Sequence, residues 1–158
     1  MNKTLEKDSR VSPIGMWRWG KEFIESALKL QPPPNSELEE LKLNFSIPPY
    51  YLLAHGIELQ LKAYLLSKGY TVKQLRSFNE YGHNLEKLLK ESKINNINEL
   101  VNLSEQEEST IHLLNETYKE KELEYFISGY SSYPKYSILC NVANKISSGI
   151  SECIRKTV

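Results

Sequence analysis

Hydrophobic residues recur at helical spacing along most of the chain. Between residues 14 and 30 they return every three or four positions, as in the buried stripe of an amphipathic helix. The run from residue 50 to Gly69 follows Pro48 and Pro49, which fit a first helical turn, and it is apolar on nearly every side. This run therefore predicts a helix at the centre of a bundle.

Further helical patterns follow this central run, and none of them alternates between polar and apolar residues as a half-buried strand does. We expect a short helix over 71–78, a helix over 85–93, another after Ser104, and one continuous last helix over 137–156. Capping-box spacing at Ser104 and Glu107, and at Ser36 and Glu39, marks two of the helix starts. With 126–136 as an ordered loop, the chain predicts an all-α, antiparallel helical bundle of five to six helices.

The length and the charge narrow the function classes. A chain of 158 residues has the length of one domain, so we predict a flexible lead-in at 1–12 and a single helical domain over 13–158. Twenty basic and 20 acidic residues cancel, which argues against a protein that holds nucleic acid by bulk positive charge. The net charge of zero is nevertheless the sum of two unlike segments. Residues 62–93 contain seven basic and three acidic residues, and residues 104–126 are mainly acidic. A phosphate-facing surface near Arg76 and ordinary solvated helix faces both explain this pattern.

Cysteine usage and hydropathy favour a cytoplasmic protein. Cys140 and Cys153 are too far apart to bridge if they share one helix, and no Cys/His spacing suggests a metal site. The longest apolar stretch, 47–66, contains charged and polar residues that a membrane span would not carry, and residues 1–8 lack the apolar core of a signal peptide. We therefore expect no membrane contact, no metal and no cofactor.

The predicted central helix carries the first candidate site. His55, Glu58 and Lys62 are spaced by three and four residues, so they share one face, which Tyr51 extends. One interpretation is a buried Glu58–Lys62 ion pair that fixes packing. The other is a ligand site or dimer interface in which Lys62 meets a phosphate and His55 titrates or donates a hydrogen bond.

Arg76 and His83 form a second candidate site. An arginine that holds phosphate and a histidine that moves a proton are sufficient for metal-independent RNA cleavage, because the neighbouring 2′-hydroxyl is the nucleophile. The alternative is that His83, directly after Gly82, lies at a helix start and its ring bonds to nearby backbone.

These residues together resemble the HEPN superfamily (higher eukaryotes and prokaryotes nucleotide-binding domain). The shared pattern is an apolar helix with Glu58-x-x-x-Lys62-Ala63, then Gly69, a variable link, and Gly82-His83-x-Leu85 opening the next helix. The resemblance covers about 40 residues in the middle of the chain. It implies an antiparallel helical bundle that forms a homodimer.

The resemblance also implies a function in prokaryotic conflict systems, RNA processing, or toxin–antitoxin pairs with a nucleotidyltransferase partner. Catalytic members cut RNA with an arginine and a histidine separated by four to six residues, and Arg76 and His83 are separated by six. Ser77, however, stands where catalytic members usually have asparagine, aspartate or histidine. We therefore expect a small dimeric module that binds RNA, a nucleotide or a partner protein, in a toxin–antitoxin or phage-defence system, with a metal-independent endoribonuclease as the alternative.

Overall fold

The computed structural model describes residues 10–42, 45–126 and 128–157, and within these ranges the chain forms helices and no strands. The all-α prediction is confirmed. Residues 1–9 of the predicted lead-in lie outside the described residues. The α-helices are α1 Pro13–Leu30, α2 Glu37–Lys42, α3 Ile47–Ser67, α4 Val72–Arg76, α5 Leu85–Ile94, α6 Glu105–Lys119, α7 Tyr136–Gly149 and α8 Ser151–Arg155, with a 3-10 turn at Ile97–Glu99. The described residues thus form more helices than the five to six predicted, because the short α2 forms and the last predicted helix is divided into α7 and α8.

Local side-chain chemistry starts several of these helices. Ser104 accepts the backbone N–H of Glu107 at 3.3 Å, and the Glu107 carboxylate accepts the backbone N–H of Ser104 at 2.8 Å. The same reciprocal capping box joins Thr71 and Gln74 at the start of α4. Each pair satisfies backbone donors that the helix cannot satisfy itself. The helix start predicted at Ser104 is confirmed, whereas the box at Thr71 was not predicted.

Helix α3 lies at the centre of the fold, as its apolar pattern predicted. It packs against α1, α5, α6, α7 and α8, and its buried residues are distributed around all its faces. The side chains of α3 are therefore held in place by contacts with most of the other helices.

Two glycines let α1 and α3 approach closely. A Cβ atom on Gly56 would lie 2.6 Å from Cγ1 of Ile24, and one on Gly20 would lie 3.0 Å from the carbonyl oxygen of Gly56. Trp17, three residues before Gly20, accepts a hydrogen bond from Gln60, four residues after Gly56. The residue numbers of these contacts increase along α1 as they decrease along α3, so the two helices run antiparallel.

The prediction of one continuous helix over 137–156 was wrong. Helix α7 ends at Gly149 and α8 begins at Ser151. A Cβ atom on Gly149 would lie 2.8 Å from the carbonyl oxygen of Leu100, so the junction between α7 and α8 is packed against the segment after the 3-10 turn. Cys140 and Cys153 are both free thiols, the first buried and the second partly exposed.

A bilayer-crossing helix is not found in the described part of the chain, where no helix combines the required length with enough apolar residues.

Candidate functional site

Glu58 is the hub of the polar residues on α3. Its side chain is 2 % exposed and accepts hydrogen bonds from three directions. Nζ of Lys62, one turn along α3, donates to Oε1 at 2.5 Å, and Nδ1 of His83 lies 2.9 Å from Oε2. The hydroxyl of Tyr118, from α6, also donates to Oε2. One buried carboxylate therefore ties together α3, α6 and the start of α5.

Lys62 also holds the loop that leads to His83. Its ammonium donates to the carbonyl oxygen of Gly82 at 2.7 Å. Gly82 adopts a φ of +44°, in the left-handed region, and a Cβ atom there would lie 3.2 Å from Cα of Phe78. A side chain at this position would be strained and crowded, so the tight loop requires glycine.

The residues after Gly82 are anchored as well. The side chain of Asn84 accepts the backbone N–H of Lys87 and caps α5, and Oδ1 of Asn115 accepts the backbone N–H of Leu85 at 2.8 Å. Hydrogen bonds thus hold the backbone on both sides of His83.

The Glu58–His83 contact changes the acidity of both groups. Burial raises the pKa of Glu58, but nearby His55, the hydrogen bond with His83, and the charge and hydrogen bond of Lys62 lower it by more, so the net shift is downward. The hydrogen bond to Glu58 raises the pKa of His83 above 6.5, although partial burial opposes this shift. Glu58 is consequently an anion at neutral pH, and its charge favours the protonated form of His83.

Nδ1 of His83 bonds the carboxylate, not the nearby backbone that the alternative interpretation expected. Because Nδ1 is engaged, Nε2 is the ring nitrogen left for a ligand or for proton transfer. The ring is about two-fifths exposed, so a ligand can reach it.

His55 belongs to the same network without bonding Glu58 directly. Its Nδ1 lies 3.0 Å from the Tyr118 hydroxyl oxygen and 3.7 Å from Oε2 of Glu58. The Tyr118 hydroxyl has one hydrogen, which it uses in its hydrogen bond to Glu58. Nδ1 of His55 is therefore the hydrogen-bond donor to the Tyr118 oxygen. The Tyr51 ring is parallel to the His55 ring, with centroids 5.9 Å apart, and the Phe23 ring is nearly perpendicular to it, with centroids 4.6 Å apart.

A cavity of about 550 Å³ joins the two candidate sites. Its wall includes His55, Glu58 and Lys62 from α3 together with Arg76 at the end of α4 and His83 before α5. The predicted site residues are thereby brought together, except that Tyr51 lies behind His55 and does not line the cavity.

Sequence reasoning missed three members of this region. Arg10 lines the cavity from the segment before α1, and Trp19 lines it from α1 itself. Tyr118 donates a further hydrogen bond to Glu58. The position of Trp19 outside the buried stripe of α1 was the one available signal for its exposure. Nothing in the spacing along the chain indicated that Tyr118 would meet Glu58.

Within the described ranges, no group of three or more His, Cys, Asp or Glu side chains is arranged to hold a metal ion. The charged groups of the cavity suit an anion instead, because arginine and protonated histidine donate hydrogen bonds to phosphate or carboxylate oxygens.

No protein-family model, curated protein or solved structure matches this chain.

Proposed function

We propose that the chain is a HEPN-like helical module that binds RNA or a nucleotide in the cavity between α1, α3 and the start of α5. The observation that carries this proposal is that residues chosen from two separate segments of the sequence line one cavity. The volume lies within the range of roughly 300–1,000 Å³ that is usual for ligand sites.

The charges of the cavity support a phosphate-bearing ligand. Lys62 and Glu58 largely neutralise each other through their 2.5 Å ion pair. Arg10 and Arg76 also line the wall, and the hydrogen bond to Glu58 raises the pKa of His83, which favours its protonated form. Two arginines, together with a histidine whose protonated form is favoured, suit the oxygens of a phosphate.

Equilibrium binding of a labelled single-stranded RNA tests this function. Arg76→Ala should weaken binding about tenfold or more, because a charged hydrogen bond contributes roughly 1.5–3 kcal/mol. Arg18→Ala is the matched control, since Arg18 lies on α1 but does not line the cavity. Equal affinities of the two variants would exclude Arg76 as a phosphate ligand.

The fixed orientation of His83 supports a second candidate function, metal-independent RNA cleavage. The 2′-oxygen of a ribose would attack the adjacent phosphorus, forming a cyclic phosphate while the bond to the 5′-oxygen breaks. Nε2 of His83 would give its proton to that leaving oxygen, the 2′-hydroxyl proton would pass to water, and Arg76 would stabilise the charged phosphate.

Cleavage is tested by incubating RNA with the protein in EDTA, beside Arg76→Ala and His83→Ala. A cyclic-phosphate product made by the wild type and not by His83→Ala supports the enzyme. If the wild type cuts no better than either variant, the chain is a binding module only.

The cellular setting is part of the same proposal. The HEPN resemblance of residues 49–89 supports a cytoplasmic homodimer in a toxin–antitoxin or phage-defence system, with a nucleotidyltransferase or other defence protein as partner. Measurement of the solution mass tests the dimer. A strict monomer at high protein concentration would exclude a site composed from two copies.

A further inference from the structure

Helix α1 carries two tryptophans in opposite environments. Trp17 is 7 % exposed, and its indole N–H donates to the carbonyl oxygen of Ser147 at 3.0 Å. Trp19 is 67 % exposed and lines the cavity that contains Arg76 and His83. Residues two apart on a helix do not face the same way, so only Trp17 belongs to the core.

Trp19 is distinguished from other exposed aromatic residues, such as Tyr130, by its place on the cavity wall. Tryptophan is the largest aromatic side chain, and one that is exposed on the wall of a concave site offers a ligand an aromatic surface to contact. Its neighbours on the wall include the cations Arg10 and Arg76 and the apolar side chains of Met16, Val72 and Leu75. A ligand that satisfies both kinds of neighbour has an anionic part and a flat aromatic part.

We propose that Trp19 is the surface on which a nucleobase stacks, while Arg10 and Arg76 meet the attached phosphate. This inference rests on the proposed function and adds the residue that recognises the base, so that the cavity selects a base-bearing phosphate, free or within an RNA strand, over a phosphate or sugar phosphate alone. Trp19 is a specificity-determining residue in this arrangement, because every base offers a π-face and phosphate alone does not.

The magnitude follows from base stacking. Stacking on an aromatic side chain contributes about 1–3 kcal/mol per base, which corresponds to roughly 5- to 150-fold in affinity. Adenosine monophosphate should therefore bind about tenfold or more tightly than ribose phosphate, and it should quench the fluorescence of Trp19. Trp17 is shielded in the core and serves as an internal reference.

The experiment is a titration of the full chain with adenosine monophosphate, ribose phosphate and tetraadenylate, followed by calorimetry and by intrinsic fluorescence. Trp19→Leu should lower the affinity for adenosine monophosphate about tenfold and leave that for ribose phosphate unchanged, whereas Trp19→Phe should retain most of the preference. Tyr130→Leu, which removes a fully exposed aromatic ring that does not line the cavity, should bind as the wild type does. Tight binding of tetraadenylate with weak binding of the mononucleotide would identify an RNA strand as the source of the base.

The outcomes separate this inference from the proposed function. If Trp19→Leu binds adenosine monophosphate like the wild type while Arg76→Ala binds it more weakly, stacking is refuted and phosphate recognition stands. Equal affinities of the wild type for adenosine monophosphate and ribose phosphate also refute stacking. If the wild type binds none of the three ligands, both proposals fail.

Discussion

Replacing Glu58 by glutamine should destabilise the fold strongly, because Glu58 is the acceptor for three side chains from different parts of the bundle. The substitution keeps the size of the side chain but removes its charge, and it leaves the ammonium of Lys62 buried without its counter-ion. Breaking a buried ion pair from one side costs about 3–5 kcal/mol. For a chain of this length that loss lowers the midpoint of thermal unfolding by about 6–20 °C.

The assay is urea unfolding of the wild type and Glu58→Gln, followed by circular dichroism. Glu25→Gln is the matched control, because Lys21 and Glu25 form an ion pair of the same helical spacing whose side chains are both half-exposed. An exposed pair of this kind contributes about 0.2–1 kcal/mol. Should Glu58→Gln lose no more stability than Glu25→Gln, the reasoning about the buried hub is refuted.

A double-mutant cycle separates the ion pair from the other contacts of Glu58. Lys62→Met leaves the carboxylate buried without its nearest cation, whereas the double variant leaves neither charge of the pair. The double variant should therefore lose less stability than the two single variants added together, by about 1 kcal/mol or more. Strict additivity would mean that the two charges do not interact.

The pH dependence of the Glu58 contribution has a definite sign. The pKa of Glu58 is lowered in the fold, so its contribution is present above the ordinary value of 4.5 and is lost as the pH falls towards the folded value. The pKa of His83 is raised, so its contribution is present below 6.5 and is lost as the pH rises through the folded value. Both contributions are present between pH 4.5 and pH 6.5, so the stability difference between the wild type and Glu58→Gln should be largest in that range.

Three smaller perturbations follow from the same geometry. Gly56→Ala places a methyl group 2.6 Å from Cγ1 of Ile24 and should cost about 1–3 kcal/mol in urea unfolding; a loss below 0.5 kcal/mol would mean that the helices part at little cost. Asn115→Ala leaves the buried backbone N–H of Leu85 without its acceptor and should cost about 1–3 kcal/mol, and an unchanged unfolding midpoint would contradict this. The proton resonances of His83 should titrate above pH 6.5 in the wild type and at lower pH in Glu58→Gln, and identical titrations in the two proteins would rule out Glu58 as the cause.

Local signals in the sequence were sufficient for most of the helices. The capping box at Ser104 and the proline turn before Tyr50 act within one helical turn, so their effect needs no knowledge of the rest of the chain. The break at Ile150 was not predictable in this way. It accompanies the close contact of Gly149 with Leu100, and such a contact between distant residues exists only after folding.

In the candidate site, too, local spacing could be predicted from the sequence and contacts between distant residues could not. Spacing along α3 placed Glu58 and Lys62 on one face, because helical geometry alone determines that face. The sequence left open whether Arg76 and His83 would meet this face. Their meeting depends on the loop that ends at Gly82, and the hydrogen bond from Tyr118 joins residues 60 positions apart.

The hydrogen bond from Lys62 to the carbonyl oxygen of Gly82 links the ligand site to the cooperativity of unfolding. Because Lys62 is on the central helix, the loop before His83 cannot open locally without leaving the ammonium of Lys62 and the carboxylate of Glu58 short of partners. Amide hydrogens around Gly82 should therefore exchange with solvent at rates closer to those of the core than to those of an exposed loop. The cavity wall is preorganised to this extent, so a ligand meets His83 already in position and loses little affinity to ordering it.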